Sequence, residues 1–395
     1  MGQSTFPAPS TGASYSSQPP ANASSVLLDG SLVSSTSYST TLTGTGASWL
    51  LYANGAGPTT ITVGSDVYTV AAGSTVGTSA YTGSQSVTVA ASFSGIPATF
   101  TASTMPSASA WNSVAYGSGK YIAVQSTGTT AGAYSSNGTT WSASTMPSAA
   151  NWFGATYGNG YFVVGSFTTA GAYSTNGTTW TARTLSSTGV WRSFAYGTGT
   201  YVGVKDSGVA VGTYSTDGIN WSGMSMPTAD AWIGITYGGT YFVSIASGST
   251  TAAYSTNGTT WTASTLTISQ TWNDVAYGNG TYAAVGNSST GNYSTNGTTW
   301  TSMTMPGALN YRGIAYGGGY FVAVAATGTV GAYSANGITW TANTLPSSSG
   351  WYRIVWGNGY FVPVQSTGTT ANAYFAQTAL TPVAYGIYNG PTATH

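Results

Sequence analysis

Short runs of alternating apolar and polar residues fill this chain, and polar turns separate them. From about residue 104 to 377 the runs recur in a fixed order. The segment YSSNGTTW ends at Trp141. Near-copies end at Trp180, Trp221, Trp261, Trp300 and Trp340, at steps of 39, 41, 40, 39 and 40 residues. A second ladder lies between them: Trp111, Trp152, Trp191, Trp232, Trp272, Tyr311 and Trp351. A third is an aromatic residue followed by glycine, at Tyr116, Tyr157, Tyr196, Tyr237, Tyr277, Tyr316 and Trp356.

One copy, 152–184, reads as four strands: WFGATYG, YFVVGSF, AGAYSTN and TTWTART. Alternation with β-branched and aromatic residues favours strand. Gly-Asn-Gly at 158–160 and Asn-Gly at 176–177 supply hairpin turns, because Asn and Gly tolerate positive φ. No stretch carries a helical period. Four strands per forty residues is the pattern of a propeller blade. The chain is therefore expected to be all-β, with a seven-bladed β-propeller of four-stranded blades over 98–377. ATFTASTM at 98–105 matches the fourth strand of the other copies, as in TTWSASTM at 139–146. It is expected to complete the last blade and leave no open edge. TPVAYGIY, near 381–388, is the competing candidate for that strand. Residues 1–24 are Ser/Pro/Ala-rich and read as an extended arm or linker. Residues 25–97 alternate through SWLLYAN, TTITVGS, VYTVAAG and SVTVAAS, which predicts a small β-sandwich for docking or oligomerisation. Residues 378–395 form a C-terminal extension.

Composition narrows the chemistry. Only 3% of the 395 residues are charged, against roughly 25% in ordinary soluble domains. Six Lys+Arg balance six acids, all of them Asp. The one histidine is His395, and cysteine is absent. These counts exclude a disulfide framework, a thiol nucleophile and a Cys-ligated zinc. A histidine-based triad would need the last residue to fold back. Six cations spread along the chain cannot neutralise a run of phosphates, so no nucleic-acid partner is expected. The apolar runs are too short for membrane insertion. The N-terminus lacks the positive and apolar regions of a secretory signal. With 14 Trp, 29 Tyr and 11 Phe, the chain is not disordered.

The turn motif S-x-N-G-x-x-W places Asn137, Asn176, Asp217, Asn257, Asn296 and Asn336 ahead of Trp141, Trp180, Trp221, Trp261, Trp300 and Trp340. It resembles the Asp-box, or BNR repeat, of sialidase-like propellers, usually S-x-D-x-G-x-T-W, but is one residue shorter before the Trp. The resemblance implies a hairpin between a blade's third and fourth strands, on the face away from that family's active site. A structural role follows independently. Asn or Asp bonds local backbone amides, and each Trp buries roughly 200 Å² between blades. Five of the six acid positions are neutral amides, so calcium is not expected, nor any other metal or cofactor. The Asn-Gly-Thr triplets read as turns rather than glycosylation acceptors. Sialidases use an arginine triad, a Tyr–Glu pair and an Asp acid, and this chain has no Glu. Glycoside hydrolysis in general uses two carboxyl groups about 5 to 9.5 Å apart. No enzyme activity is expected.

In a propeller the first strand of each blade lines the central channel. Arg192, Asp274, Arg312 and Arg353 fall one or two residues after the opening aromatic. Asp230 leads into such a strand, and Lys205 and Asp206 begin a second-to-third loop. All should gather on the face opposite the turn motif. The candidate ligand residues are thus Arg192, Asp230, Asp274, Arg312 and Arg353, with Trp351 as a stacking platform. The opposing reading is that these charges solvate the rim or pair across blades.

An arm, a small β-domain and a distal β-rich module, in a chain with few charges and no cysteine, resemble tailed-phage fibre, appendage and decoration proteins. The resemblance implies a non-enzymatic structural protein on the virion surface, assembled as a homo-oligomer. Its N-terminal region would contact other virion proteins, and its propeller would bind host-surface glycan. The alternative is a lectin-like or matrix protein, secreted or at the surface of a cell. An intracellular scaffold and a divergent glycosidase follow behind.

Overall fold

The computed structural model describes residues 97–348, 350–366 and 372–376, and the backbone strands within 24–94 and 378–389. The chain divides into two compact units, one of residues 1–95 with 378–395 and the other of residues 96–377.

The larger unit is a seven-bladed propeller of four-stranded antiparallel sheets. Blade one runs Trp111–Gly117, Lys120–Gln125, Ala131–Ser135 and Ser142–Thr145 from the channel outward. The next five blades open with Trp152–Gly158, Trp191–Gly197, Ala231–Tyr237, Trp272–Gly278 and Tyr311–Gly317. Blade seven runs Trp351–Gly357, Tyr360–Gln365 and Asn372–Ala376, and takes its outermost strand from Thr101–Ser103. Thr101 pairs with Tyr374 and Ser103 with Asn372. Just upstream, the Phe100 amide donates to the Thr344 carbonyl at 2.9 Å, tying this segment to blade six as well.

In the smaller unit, Val383–Asn389 pairs with Ser48–Asn54 and Ser24–Leu27. The C-terminal TPVAYGIY segment is therefore a strand of this unit and not of blade seven. A second sheet orders Ser31–Ser34, Ser37–Leu42, Gln85–Ala90, Thr59–Val63 and Asp66–Val70. The packing expected of a β-sandwich over 25–97 lies outside the described residues, as does the arm expected over 1–24 except for Ser24, which opens the strand Ser24–Leu27.

Each propeller interface is filled by its own apolar cluster. Between blades one and two, Ile122, Val124 and Met146 meet Trp152, Phe162 and Val164. Between seven and one, Val364 meets Met105, Trp111 and Val114. A flat sheet with only one buried face would expose the other. Here each blade is covered on both faces by its neighbours, which is why the second strands, such as Phe162–Val164, read as continuous apolar runs.

The aromatic-Gly ladder acquires a physical meaning. A Cβ at Gly117 would lie 1.9 Å from the Tyr157 ring of the next blade. The same holds for Gly158 under Tyr196, Gly197 under Tyr237, Gly278 under Tyr316, and Gly317 under Trp356. Gly357 lies under Tyr116, which closes the circle. Only glycine lets a ring seat directly on the neighbouring backbone.

The turn motif is a hydrogen-bonded unit. Asn137 Oδ1 accepts from the amides of Thr139 and Thr140 at 3.0 and 2.9 Å, while the Gly138 amide donates to Ser135 Oγ at 2.8 Å. Asn176, Asn257, Asn296 and Asn336 repeat the arrangement. Asp217 makes the same bonds with a carboxylate, to Ile219 and Asn220. The motif also binds blades together. The Trp261 indole points at Met224 Sδ and that of Trp340 at Met303 Sδ, each in the preceding blade, while Trp141, Trp180 and Trp221 are half-buried against core clusters.

Gly278→Ala should therefore lower unfolding free energy by at least about 1–3 kcal/mol in a chemical-denaturation experiment, the usual cost of forced overpacking. Gly307→Ala is the control. Its Cβ would lie 3.5 Å from Leu309 in a loop, and its effect should stay within about 0.5 kcal/mol. Asp217 carries a pH prediction. Partial burial raises its carboxyl, but the amides of Asn220 and Ile219 and the side chains of Asn220 and Ser215 win, and hold it at about 2. An acid depressed in the folded state stabilises above its unfolded value, about 3.9, and that contribution is lost as pH falls through the folded value. The stability gap between wild type and Asp217→Asn should thus narrow as pH falls from about 5 toward 2. A gap that stays constant would contradict the assignment.

Candidate functional site

Every channel-lining strand has a register shift just after its opening aromatic, between Trp111 and Ser113 in blade one and at the matching place in the other six. A bulge of this kind re-aims one side chain. The aromatic itself stays inside: Trp111, Trp152, Trp191, Trp232, Trp272, Tyr311 and Trp351 have no exposed surface. Five of these indoles donate to the carbonyl four residues upstream, as Trp351 does to Ser347 at 3.1 Å. Trp351 is therefore a core residue and offers no ring face to a ligand. This corrects the expectation of a stacking platform there. Its place on the channel strand suggested exposure, but the bulge turns the following residue outward instead.

The residues after the aromatic are Asn112, Phe153, Arg192, Ile233, Asn273, Arg312 and Tyr352. Arg192, Ile233, Asn273, Arg312 and Tyr352 line a cavity of about 160 Å³ at one mouth of the channel, together with Asp206 and Arg353. A larger cavity of about 300 Å³ continues down the channel past Ser193, Asp274 and Ile314 to Tyr277 and Tyr316. Asp230, half-buried in the loop before Ala231, lines neither cavity. So the structure brings together Arg192, Asp274, Arg312 and Arg353, and leaves Asp230 and Trp351 aside.

Two ion pairs organise the mouth. Arg192 Nε and Nη2 both donate to Asp206 Oδ2, at 3.0 and 2.8 Å. Its Nη1 donates to the Tyr352 hydroxyl of blade seven at 3.1 Å. The guanidinium lies 4.5 Å from the centre of the Phe153 ring, a cation–π contact. Phe153 meets Tyr352 edge-on at 5.5 Å, and the Arg312 guanidinium lies 5.4 Å from the centre of the Tyr352 ring. Deeper in, Arg353 spans the channel. Its Nη1 lies 3.1 Å from Asp274 Oδ2 and donates to the carbonyls of Arg312 and Asn273 at 2.9 and 3.2 Å. Its Nη2 reaches the Ile233 carbonyl at 3.5 Å. One side chain of blade seven thus ties to blades four, five and six.

Asp274 also accepts from the Ile314 amide at 3.1 Å. Burial pushes its carboxyl above the ordinary range, against the opposing pull of Arg353 and of the Ile314 and Val275 amides. Lys205 is almost fully buried, and that burial lowers its pKa. Its Nζ donates to Ser187 Oγ and to the Thr188 carbonyl at 3.0 and 3.1 Å. The arrangement can present guanidinium donors and the Tyr352 ring at a concave mouth. Both carboxylates at the mouth and in the channel are held against arginines. Among the described residues no cluster of three or more potential metal-ligating His, Cys, Asp or Glu side chains occurs, and no helix is long and apolar enough to cross a membrane.

Sequence reasoning passed over Phe153, Tyr352 and Asn273. A signal for them existed. The copies agree closely along the channel strand except at the bulged position, where Asn, Phe, Arg, Ile and Tyr interchange, and the one after it, where Ser, Gly, Asp and Arg do.

No family model matches the sequence, and no curated protein does either. Solved structures do share the fold. The structure of YCF48 bound to D1 peptide is 14% identical, with a TM-score of 0.57 over 72% of this chain and 97% of that one. A catalytically inactive virginiamycin B lyase from Staphylococcus aureus with quinupristin is 11% identical, with a TM-score of 0.59 over 72% and 97%. The WD40 β-propeller domain of Doa1 is 12% identical, with a TM-score of 0.56 over 75% and 98%. At these identities the likeness is one of fold.

Arg353→Met should cost about 3–5 kcal/mol of stability, because it strands the Asp274 carboxylate in the channel. Adding Asp274→Asn should recover most of the loss in a double-mutant cycle. The single-mutant deficit should shrink toward acid pH, where Asp274 takes up a proton. Strictly additive effects would rule out the pairing.

Proposed function

We propose that this chain is a non-enzymatic structural and adhesive protein of a virion surface, a fibre, appendage or decoration component, and that its propeller binds host-surface glycan at the channel mouth. One observation carries the binding half of this reading. The blades repeat closely, yet at the bulged positions they diverge, and those positions assemble the Arg192 and Arg312 guanidiniums and the Tyr352 ring around a cavity of about 160 Å³. Ring faces pack on sugar C–H surfaces, arginine donors bond hydroxyls, and concave mouths with a few convergent polar groups are where propeller-sized folds take ligands. The Asp-box-like turns lie at the far ends of the blades and are consumed in their own hydrogen bonds, which fits a structural part for them. The absence of glutamate and the pairing of Asp206 and Asp274 with arginines favour binding over hydrolysis.

The virion half rests on organisation: a charge-poor, cysteine-free propeller joined to a second β-rich unit that serves as the docking element. Within the same reading the chain assembles as a homo-oligomer and contacts other virion proteins through residues 1–97.

The full-length chain should bind a defined subset of glycans on an array. Arg312→Ala and Tyr352→Ala should each weaken that binding by about tenfold or more, the loss of one charge-assisted or stacking contact, with near-ultraviolet circular dichroism unchanged. A folded chain that binds no glycan, or variants that bind as wild type does, would remove the adhesive role. Co-purification with particles tests the virion role separately. Secretion by cells without particles would favour a lectin-like matrix protein, and turnover of an aryl glycoside a glycosidase.

A further inference from the structure

The chain holds ten Asn-Gly pairs, and seven of them fall into two chemical environments. Asn-Gly is the dipeptide most open to self-modification, because glycine leaves its own amide nitrogen unhindered. That nitrogen attacks the Asn side-chain carbonyl carbon. A C–N bond forms, ammonia leaves, and a five-membered succinimide results. Water then opens the ring at either carbonyl and leaves aspartate or isoaspartate. The only co-reactant is water.

Five pairs sit in the turn motif, at Asn137, Asn176, Asn257, Asn296 and Asn336. There both reacting groups are engaged. The Asn Oδ1 lies in a nest of two amides, and the Gly amide is held by the Ser hydroxyl, at 2.8 to 2.9 Å. Each glycine is also packed against its own or the preceding blade: a Cβ at Gly138 would lie 2.9 Å from Val362, and one at Gly177 2.8 Å from Ile122. Attack requires the turn to come apart and lift off its neighbour.

Two other pairs, Asn159-Gly160 and Asn279-Gly280, form the tips of the hairpins between first and second strands. All four residues are exposed. The asparagines have φ of 40° and 46°, the glycines 85° and 76°. A Cβ on either glycine would meet nothing within 4 Å. Neither asparagine side chain is tied into a nest of amides like that of the turn motif. A two-residue tip of this kind opens locally without disturbing a blade interface.

We propose that Asn159 and Asn279 are sites of spontaneous succinimide-mediated conversion to aspartate and isoaspartate, and that the fold shields the five turn-motif pairs from the same reaction. Each conversion replaces a neutral amide with a carboxylate. In a chain of zero formal charge, two conversions set the net charge at about −2, on hairpins at the opposite end of the channel strands from the arginine-bearing mouth. The turn motif tolerates the aspartate product, since Asp217 already holds that state with the same bonds. Its shielding is thus a matter of rate and not of stability.

Full-length protein held at mildly alkaline pH and sampled over time by peptide mapping, with enzymatic isoaspartate detection, reads this directly. Conversion at Asn159 and Asn279 should outpace the five motif sites by about tenfold or more, because opening a motif turn breaks several hydrogen bonds at once. In denaturant all seven sites should react at similar rates. Ser135→Ala releases the Gly138 amide and should raise conversion at Asn137 alone, with the other four motif sites reporting that the propeller is intact. Equal native rates across all seven sites, or native rates at 159 and 279 suppressed to those of the motif sites, would overturn the proposal.

Discussion

The propeller depends on a ring of aromatic side chains seated on glycines. Each channel strand closes on an aromatic residue followed by glycine, and at six of the seven junctions the ring of one blade seats on the glycine of the blade before it. The contact allows no intervening Cβ, so it fixes the separation of neighbouring blades at the channel. At the remaining junction Gly238 meets the Tyr282 hydroxyl ahead of the Tyr277 ring. Six such seats are made, the last bringing Tyr116 onto Gly357 to close the circle. The Tyr121 hydroxyl then donates to the Gly357 carbonyl across the same junction. The apolar clusters between blades supply most of the burial, but the glycine seats decide how closely blades approach and how many fit round the axis.

Closure adds two further constraints. The last blade draws its outer strand from Thr101–Ser103, so its sheet cannot form until both ends of the propeller are in place. Arg353 of that same blade reaches over the channel to carbonyls of three other blades and to Asp274. A buried guanidinium is costly to desolvate and is tolerated where acceptors surround it. Here the acceptors come from separate blades, and the geometry exists only in the closed ring.

Repetition and function pull in opposite directions along the channel strand. Its aromatic, its apolar middle and its glycine must match in every blade, because they contact equivalent neighbours. The bulged residue contacts the mouth, where no sevenfold rule applies. That freedom lets Phe153, Arg192, Arg312 and Tyr352 form one asymmetric cluster from blades two, three, six and seven. The same contrast separates hydrogen-bonded motif turns, with their glycines packed inward, from open hairpin tips that share one dipeptide.

Seven blades, four strands to a blade and the turn at each motif Asn-Gly were legible in the sequence. They follow from local periodicity and turn chemistry, and periodicity repeated seven times is hard to misread. The position of Arg192, Asp274, Arg312 and Arg353 near the strand start was legible for the same reason. What each of them does there was not. Whether Arg353 faces a ligand or carbonyls of blades four to six depends on the channel's width. That Arg192 meets both Asp206 and Tyr352 depends on the bulge that aims it. The burial of Trp351 depends on the same one-residue shift. Local pattern determines which strands form and which faces are apolar. Contacts across the axis join residues far apart in the chain, and only closure of the ring sets those distances.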